Sequence, residues 1–159
     1  MKKKGIYILL IFAFCLFLTG CDKTKTYTSH GMSIEMPKGF YEKSLASATV
    51  YYESPTAIVT GLKETFTTLS QVGLDKNSSL EDYLKLVLKN NNKEEALKED
   101  GNLVYFTYEA NISDKDFFYT TVGYKTNDSF WLFNFACEAK NKDIYASKFL
   151  EWAKTIKFD

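Results

Sequence analysis

The spacing of hydrophobic positions changes character several times along the chain. Lys2, Lys3, Lys4 and Gly5 precede 13 uninterrupted apolar residues, Ile6–Leu18. A basic stretch followed by an apolar run describes the first two regions of a secretory signal. The run is too short to span a bilayer, which takes about 20 apolar residues. Residues 23–31 are polar without apolar periodicity and read as a short flexible tether. Met32, Ile34 and Met36 then alternate with Ser33 and Glu35, which predicts a half-buried strand ended by Pro37.

Residues 47–53 and 57–66 are rich in β-branched and aromatic side chains and predict two strands across a Ser54-Pro55-Thr56 turn. Ser78 with Glu81 three residues later has the spacing of a capping box. Leu80, Tyr83, Leu84, Val87 and Leu88 follow as one apolar stripe, so a helix is expected up to Asn90-Asn91-Asn92. Strands are expected over 95–99, 102–110, 116–125 and 130–138. Asp100-Gly101 suits a type I′ hairpin turn, and a second tight turn is expected around Asn127-Asp128. The 130–138 segment is apolar on both faces, as a strand covered by layers on each side would be. Tyr145, Phe149, Trp152 and Ile156 form the stripe of a last helix over 142–156. The order β-β-β-α-β-β-β-β-α predicts an α+β domain, an antiparallel sheet of six or seven strands with helices packed on it.

The end of the apolar run carries the first chemistry. Leu18-Thr19-Gly20-Cys21 resembles the bacterial lipobox, where a small residue precedes a cysteine. The resemblance implies a diacylglyceryl thioether on Cys21 and cleavage after Gly20. The expected organisation is a lipoprotein signal peptide over 1–20, lipidated Cys21 with its tether over 21–31, and one domain over 32–159. Two acyl chains anchor stably where one is marginal, so the expected location is the extracytoplasmic face of the cell membrane.

Removing the signal changes the charge from zero to slightly acidic, with 17 lysines against 20 acids. Arginine, the residue suited to bidentate phosphate and guanine recognition, is absent. Without a basic stripe either, a nucleic-acid partner is not expected. Cys15 leaves with the signal and Cys21 is taken by lipid, so Cys137 is left as a lone thiol. Its apolar surroundings, Phe130–Ala136, make it a core residue rather than a reactive one.

No catalytic constellation emerges. The mature segment has one histidine, His30, and it falls in the tether, where no rigid element would position it for acid–base work. One Cys and one His do not make a zinc site. The segment Asn111–Asp116 faintly resembles a calcium loop. It lacks the central Gly, and Lys125 stands at the twelfth position from Asp114, where a Glu is needed. No Gly-rich phosphate loop is present, and Glu94-Glu95 with Glu99-Asp100 suggest an edge strand blunted by charge. No enzymatic activity, metal or cofactor is therefore expected. A hydrolase would need paired carboxylates in one cleft, and the acids are dispersed.

Aromatics are the remaining unusual feature: of 22 outside the signal, 15 lie in residues 102–159. Pairs such as Tyr105-Phe106, Phe118-Tyr119 and Trp131-Leu132 must point to opposite faces of their strands, so most are expected to pack. Tyrosines are the expected contributors to any binding surface, being apolar with a polar tip.

The whole pattern resembles the PsbP-like proteins. Met36-Pro37-Lys38-Gly39-Phe40 is similar to their strand-Pro-Gly-aromatic opening, Ser79-Leu80-Glu81-Asp82-Tyr83 to their first helix, and the aromatic hairpins and final helix ending in Ile156-Lys157-Phe158 to their close. The resemblance spans about residues 30–158. It implies an α/β/α sandwich used for binding and accessory roles, with no catalytic residues to carry over. The expected function is a membrane-anchored accessory module for an envelope protein complex. The alternative is a receptor for a small ligand such as a lipid, glycan or wall fragment.

Overall fold

The computed structural model describes residues 23–159; the signal segment and Cys21, with the expected lipidation, lie outside the described residues. The first strand was not foreseen. Residues placed in the flexible tether form β1 (Thr24–Ser29), which pairs antiparallel with β2 (Met32–Pro37) from Thr24↔Pro37 to Ser29↔Met32. His30 (φ 52°) and Gly31 (φ 76°) are the two central residues of the hairpin turn. Positive φ at both is the type I′ geometry, whose twist matches the flanking strands. Apart from Tyr27, every residue of β1 is polar and none is buried, which hides the strand from a periodicity reading. Tyr27 supplies its anchor, donating its hydroxyl to the Pro37 carbonyl at 3.0 Å and accepting from the Phe40 N–H at 3.3 Å.

The main sheet is built from β3 (Tyr41–Glu42), β4 (Val50–Glu53), β5 (Ile58–Thr65), β6 (Lys98–Asp100), β7 (Leu103–Ile112), β8 (Lys115–Lys125) and β9 (Ser129–Glu138). It runs in the order β3-β4-β5-β9-β8-β7-β6, with every pair antiparallel. Two further helices were expected and one was not. Short α1 (Phe66–Leu69) leads through a 3₁₀ turn (Ser70–Val72) toward α2 (Leu80–Asn90), and α3 (Lys142–Ala153) precedes the two-residue strand β10 (Lys157–Phe158). Strand β10 joins β2, so β1-β2-β10 make a second, three-stranded sheet. The expected α+β class, with seven strands in the main sheet, is the observed one.

Two local expectations shift. The capping box of α2 is Ser79 with Asp82, not Ser78 with Glu81: Ser79 Oγ accepts from the Asp82 N–H at 3.1 Å and Asp82 Oδ2 from the Ser79 N–H at 3.0 Å. Glu81 instead pairs with Lys85 one turn on, at 3.0 Å. The β6–β7 turn has Gly101 and Asn102 at its centre rather than Asp100 and Gly101, because Asp100 pairs with Leu103. Positive φ occurs at Gly101 (63°) and not at Asn102, the pattern of a type II′ turn. The charged edge expected from Glu99-Asp100 is present, as β6 is an edge strand. Glu94 and Glu95 precede it in a loop.

Strand alternation divides the apolar side chains between two layers. On one face, Val59, Phe118, Val122, Trp131, Phe133 and Phe135 pack with α3 (Phe149, Trp152) and the small sheet (Met32, Ile34, Met36). On the other, Phe106 and Phe130 pack with Tyr83, Leu84 and Leu88 of α2. Tyr83 and Phe130 stack at 4.6 Å. Close packing of α2 depends on Gly123, where a Cβ would lie 2.9 Å from Leu80 Cδ1.

Candidate functional site

The two faces are not covered equally. Cross-strand register on the α2 face gives successive rows: Val104, Gly123, Leu132 and Leu62; then Phe106, Thr121, Asn134, Thr60 and Tyr51; then Tyr108, Tyr119, Ala136, Ile58 and Glu53. Helix α2 lies over the first row, where Leu80 and Leu84 meet Gly123. Beyond it Asn134, Thr60, Tyr51, Tyr108, Tyr119, Ile58 and Phe117 are half-exposed. The expectation that the last strand is covered on both sides thus fails for half its length. Asn134, the polar residue in the middle of this strand, lies where the cover stops.

This open half of the sheet is an aromatic and hydroxyl platform. Tyr108 and Tyr119 sit directly opposite each other and stack with ring centroids 4.7 Å apart. Phe117 lies next on the same face of β8, its ring 6.4 Å from Tyr119. The Lys93 ammonium caps the Tyr108 ring at 3.8 Å from its centroid, a cation–π contact. Beside the stack, Thr121 Oγ1 donates to Asn134 Oδ1 at 2.6 Å. At the far edge, the Tyr51 hydroxyl donates to Glu53 Oε2 at 2.7 Å, and Lys43 pairs with the same carboxylate. These two bonds hold the Glu53 carboxyl below the usual range, Lys43 first, while the Tyr51 phenol is raised chiefly by Glu53. Burial pushes the Tyr108 phenol up to about 12, with neighbouring Tyr119 adding to the effect. The platform thus presents neutral phenols beside the Lys43–Glu53 ion pair and the Lys93 ammonium. Such a surface can stack, hydrogen-bond and exclude water.

The residues weighed from sequence are dispersed elsewhere. Cys137 is buried on the opposite face, opposite Phe118 in the register, and burial pushes its thiol up to about 11. It is a core residue. His30, far from being on a mobile tether, is fixed in the β1–β2 turn with Nδ1 2.7 Å from Ser29 Oγ. Among the described residues no carboxylate is hydrogen-bonded to its imidazole. The weak calcium-loop segment is the β7–β8 hairpin: Ser113 (φ 51°) and Asp114 (φ 63°) form a type I′ turn, and Asn111 Nδ2 donates to Asp116 Oδ1 at 2.8 Å. No group of three metal-capable side chains occurs among the described residues. The sequence pairs split as expected, with Tyr105 on the α3 side and Phe106 on the α2 side. What sequence reading missed is that Tyr108, Tyr119, Phe117 and Asn134 converge. The available signal was Asn134, alone and polar within an otherwise apolar run.

Solved structures with the same layers are known. The solution structure of cyanobacterial PsbP (CyanoP) from Synechocystis sp. PCC 6803 superposes with a TM-score of 0.52 over 89% of this chain and 95% of that one, at 13% identity. The fold is PsbP-like. A protein of Bacteroides thetaiotaomicron VPI-5482 superposes with a TM-score of 0.55 over 85% of this chain at 14% identity, and this chain spans about half of it, 48%. No family model and no curated protein matches the sequence. At such identities the likeness is one of fold, so the PsbP-like frame gives the layers and not the platform's ligand.

Proposed function

We propose that this protein is a lipid-anchored, non-enzymatic binding module of the cell envelope, which docks a protein partner on the open half of its sheet. The observation that supports this reading most is the stacked Tyr108–Tyr119 pair, flanked by Phe117 and the Thr121–Asn134 hydrogen bond on a half-exposed surface. Tyrosines are favoured at interfaces because they combine large rigid contact area with a hydroxyl. The cavity bordering this surface, lined by Ile58, Phe117 and Ala136, holds about 240 Å³, below the roughly 300–1,000 Å³ of small-ligand sites, which favours a macromolecule. The lipobox at Cys21 supplies the attachment to the extracytoplasmic face of the membrane.

Two measurements test the reading. Intact mass and metabolic lipid labelling of wild type and Cys21→Ser should show label in the first alone; equal labelling overturns the anchor. A photo-crosslinking amino acid at Tyr119, introduced into the full chain in membranes, should give one discrete protein adduct that Tyr108→Ala abolishes. A control at Asn127 should not give it. Repeated absence of that adduct, with saturable binding of a lipid, glycan or wall fragment instead, would replace the partner reading with the small-ligand one.

A further inference from the structure

The fold brings the start of the described chain to one end of the main sheet. The Lys38 N–H donates to the Lys23 carbonyl at 3.1 Å, and Lys38 opens the loop that leads into Tyr41. Tyr41 pairs with Glu53, beside the Ser54-Pro55-Thr56 turn. The Thr56 hydroxyl lies 2.6 Å from the Tyr145 hydroxyl, in the first turn of α3. The β7–β8 turn is at the same end, since Phe117 pairs with Glu138 where β9 runs out. This end also concentrates exposed apolar side chains. Tyr41 is 66% exposed, Ile144 56% and Ile112 51%, while the remaining large exposed hydrophobics, Leu45 and Val72, lie on loops elsewhere. Cys21 is two residues before Lys23, within about 7 Å of extended chain.

From this juxtaposition we infer that Tyr41, Ile112 and Ile144 form a bilayer-contacting face, on which the domain stands at the membrane surface. The inference rests on the lipid anchor proposed above. Because β1 begins at Thr24 and is paired at once to Pro37, almost no slack chain remains between Cys21 and the fold. The entry end must therefore stay near the headgroups, and its apolar side chains lie within reach of the interface. Tyrosine suits that depth, with an apolar ring and a polar tip. Three lysines at this end are paired with acids, Lys142 with Glu109, Lys140 with Glu138 and Lys43 with Glu53, while Lys23, Lys38 and Lys115 add positive charge beside the apolar side chains. On neutral phosphatidylcholine, contact should then depend on apolar insertion, and salt should leave it unchanged there. Phe117 and Tyr119 lie on the strand that starts at this end, so the platform faces partners close to the membrane surface.

Depth-dependent quenching tests the inference with the full lipidated chain in phosphatidylcholine vesicles. Single cysteines are introduced as Tyr41→Cys, Ile112→Cys and Ile144→Cys, with Asn102→Cys and Asn127→Cys as controls at the opposite end. An environment-sensitive dye goes to the new thiol, since Cys137 is buried. Interfacial apolar groups reach roughly 5–10 Å into the headgroup–acyl boundary, so dyes at 41, 112 and 144 should lose most of their fluorescence to brominated acyl chains. The controls should keep theirs, and added salt should not alter the pattern on these neutral vesicles. Intact mass separates the two ways of failing. A chain without lipid on Cys21 overturns the anchor and the inference with it. A lipidated chain quenched equally at both ends, or unquenched at 41 and 144, overturns the inference alone.

Discussion

Tyr108 and Tyr119 stack across β7 and β8 with their planes 5° from parallel, and they do so on a part of the sheet that no helix covers. An aromatic pair of this kind contributes about 0.5–1.5 kcal/mol beyond its burial. Tyr119→Ala should therefore lower unfolding stability by at least about that amount, since it also removes the ring's buried area, read as a reduced urea midpoint, while abolishing the crosslinked partner adduct. Tyr119→Phe should keep the stack and the stability, so its adduct yield reports what the hydroxyl adds.

On the opposite face of the sheet, Gly61 is the most closely packed of the described glycines. A Cβ there would lie 2.7 Å from both Phe133 Cε1 and Val50 Cγ2, side chains held within the core. Overpacking of this sort costs about 1–3 kcal/mol, so Gly61→Ala should lower the denaturation midpoint by a corresponding amount. Wild-type stability in the variant would mean that Phe133 can move aside.

Alkaline stability should follow the buried phenols. Burial is the first cause in each case: it pushes Tyr52 and Tyr108 up to about 12, and it raises Tyr83 and Tyr124 strongly. Tyr83 is raised further by its 2.6 Å hydrogen bond to Glu64. In the unfolded chain these groups ionise near pH 10. A folded-state value above the unfolded one means a contribution fully present below that pH and lost as pH rises through the folded values. Stability should thus fall above about pH 10, with part of the phenolate absorbance appearing only as the chain unfolds. Reversible titration of every tyrosine in the native state would contradict this.

Cys137 offers a simple check on the core. With its thiol buried and pushed up to about 11, it should resist a thiol-reactive dye at neutral pH and react once denaturant unfolds the chain. Cys137→Ser should be more disruptive than Cys137→Ala, because an unpartnered buried hydroxyl costs about 1–3 kcal/mol. Rapid labelling of the native protein would place the thiol at the surface.

Much of the architecture was legible before any coordinates. The stripe Tyr83-Leu84-Leu88 reads as a helix and the alternation from Met32 to Met36 reads as a strand, because burial on one side imposes a period. Strand β1 was not legible, since only Tyr27 among its six residues is buried. Its pairing depends on β2 and on the His30-Gly31 turn rather than on any pattern of its own. The cap of α2 moved by one residue for a related reason. Ser78 and Ser79 have the same chemistry, and only the backbone decides which hydroxyl faces the free N–H groups.

The sequence alone determined the α+β class, the burial of Cys137 and the dispersal of the acids, because composition and period depend on local residue order. It also carries the Leu18–Cys21 segment that resembles a lipobox. The tertiary structure decided which aromatics are core and which are surface. Phe106 and Tyr108 lie on the same face of one strand, and nothing in their spacing separates them. The length and placement of α2 do: the helix covers the row at Gly123 and stops short of Tyr108 and Tyr119. An open aromatic surface that exists because a helix ends cannot be read from the strands that form it.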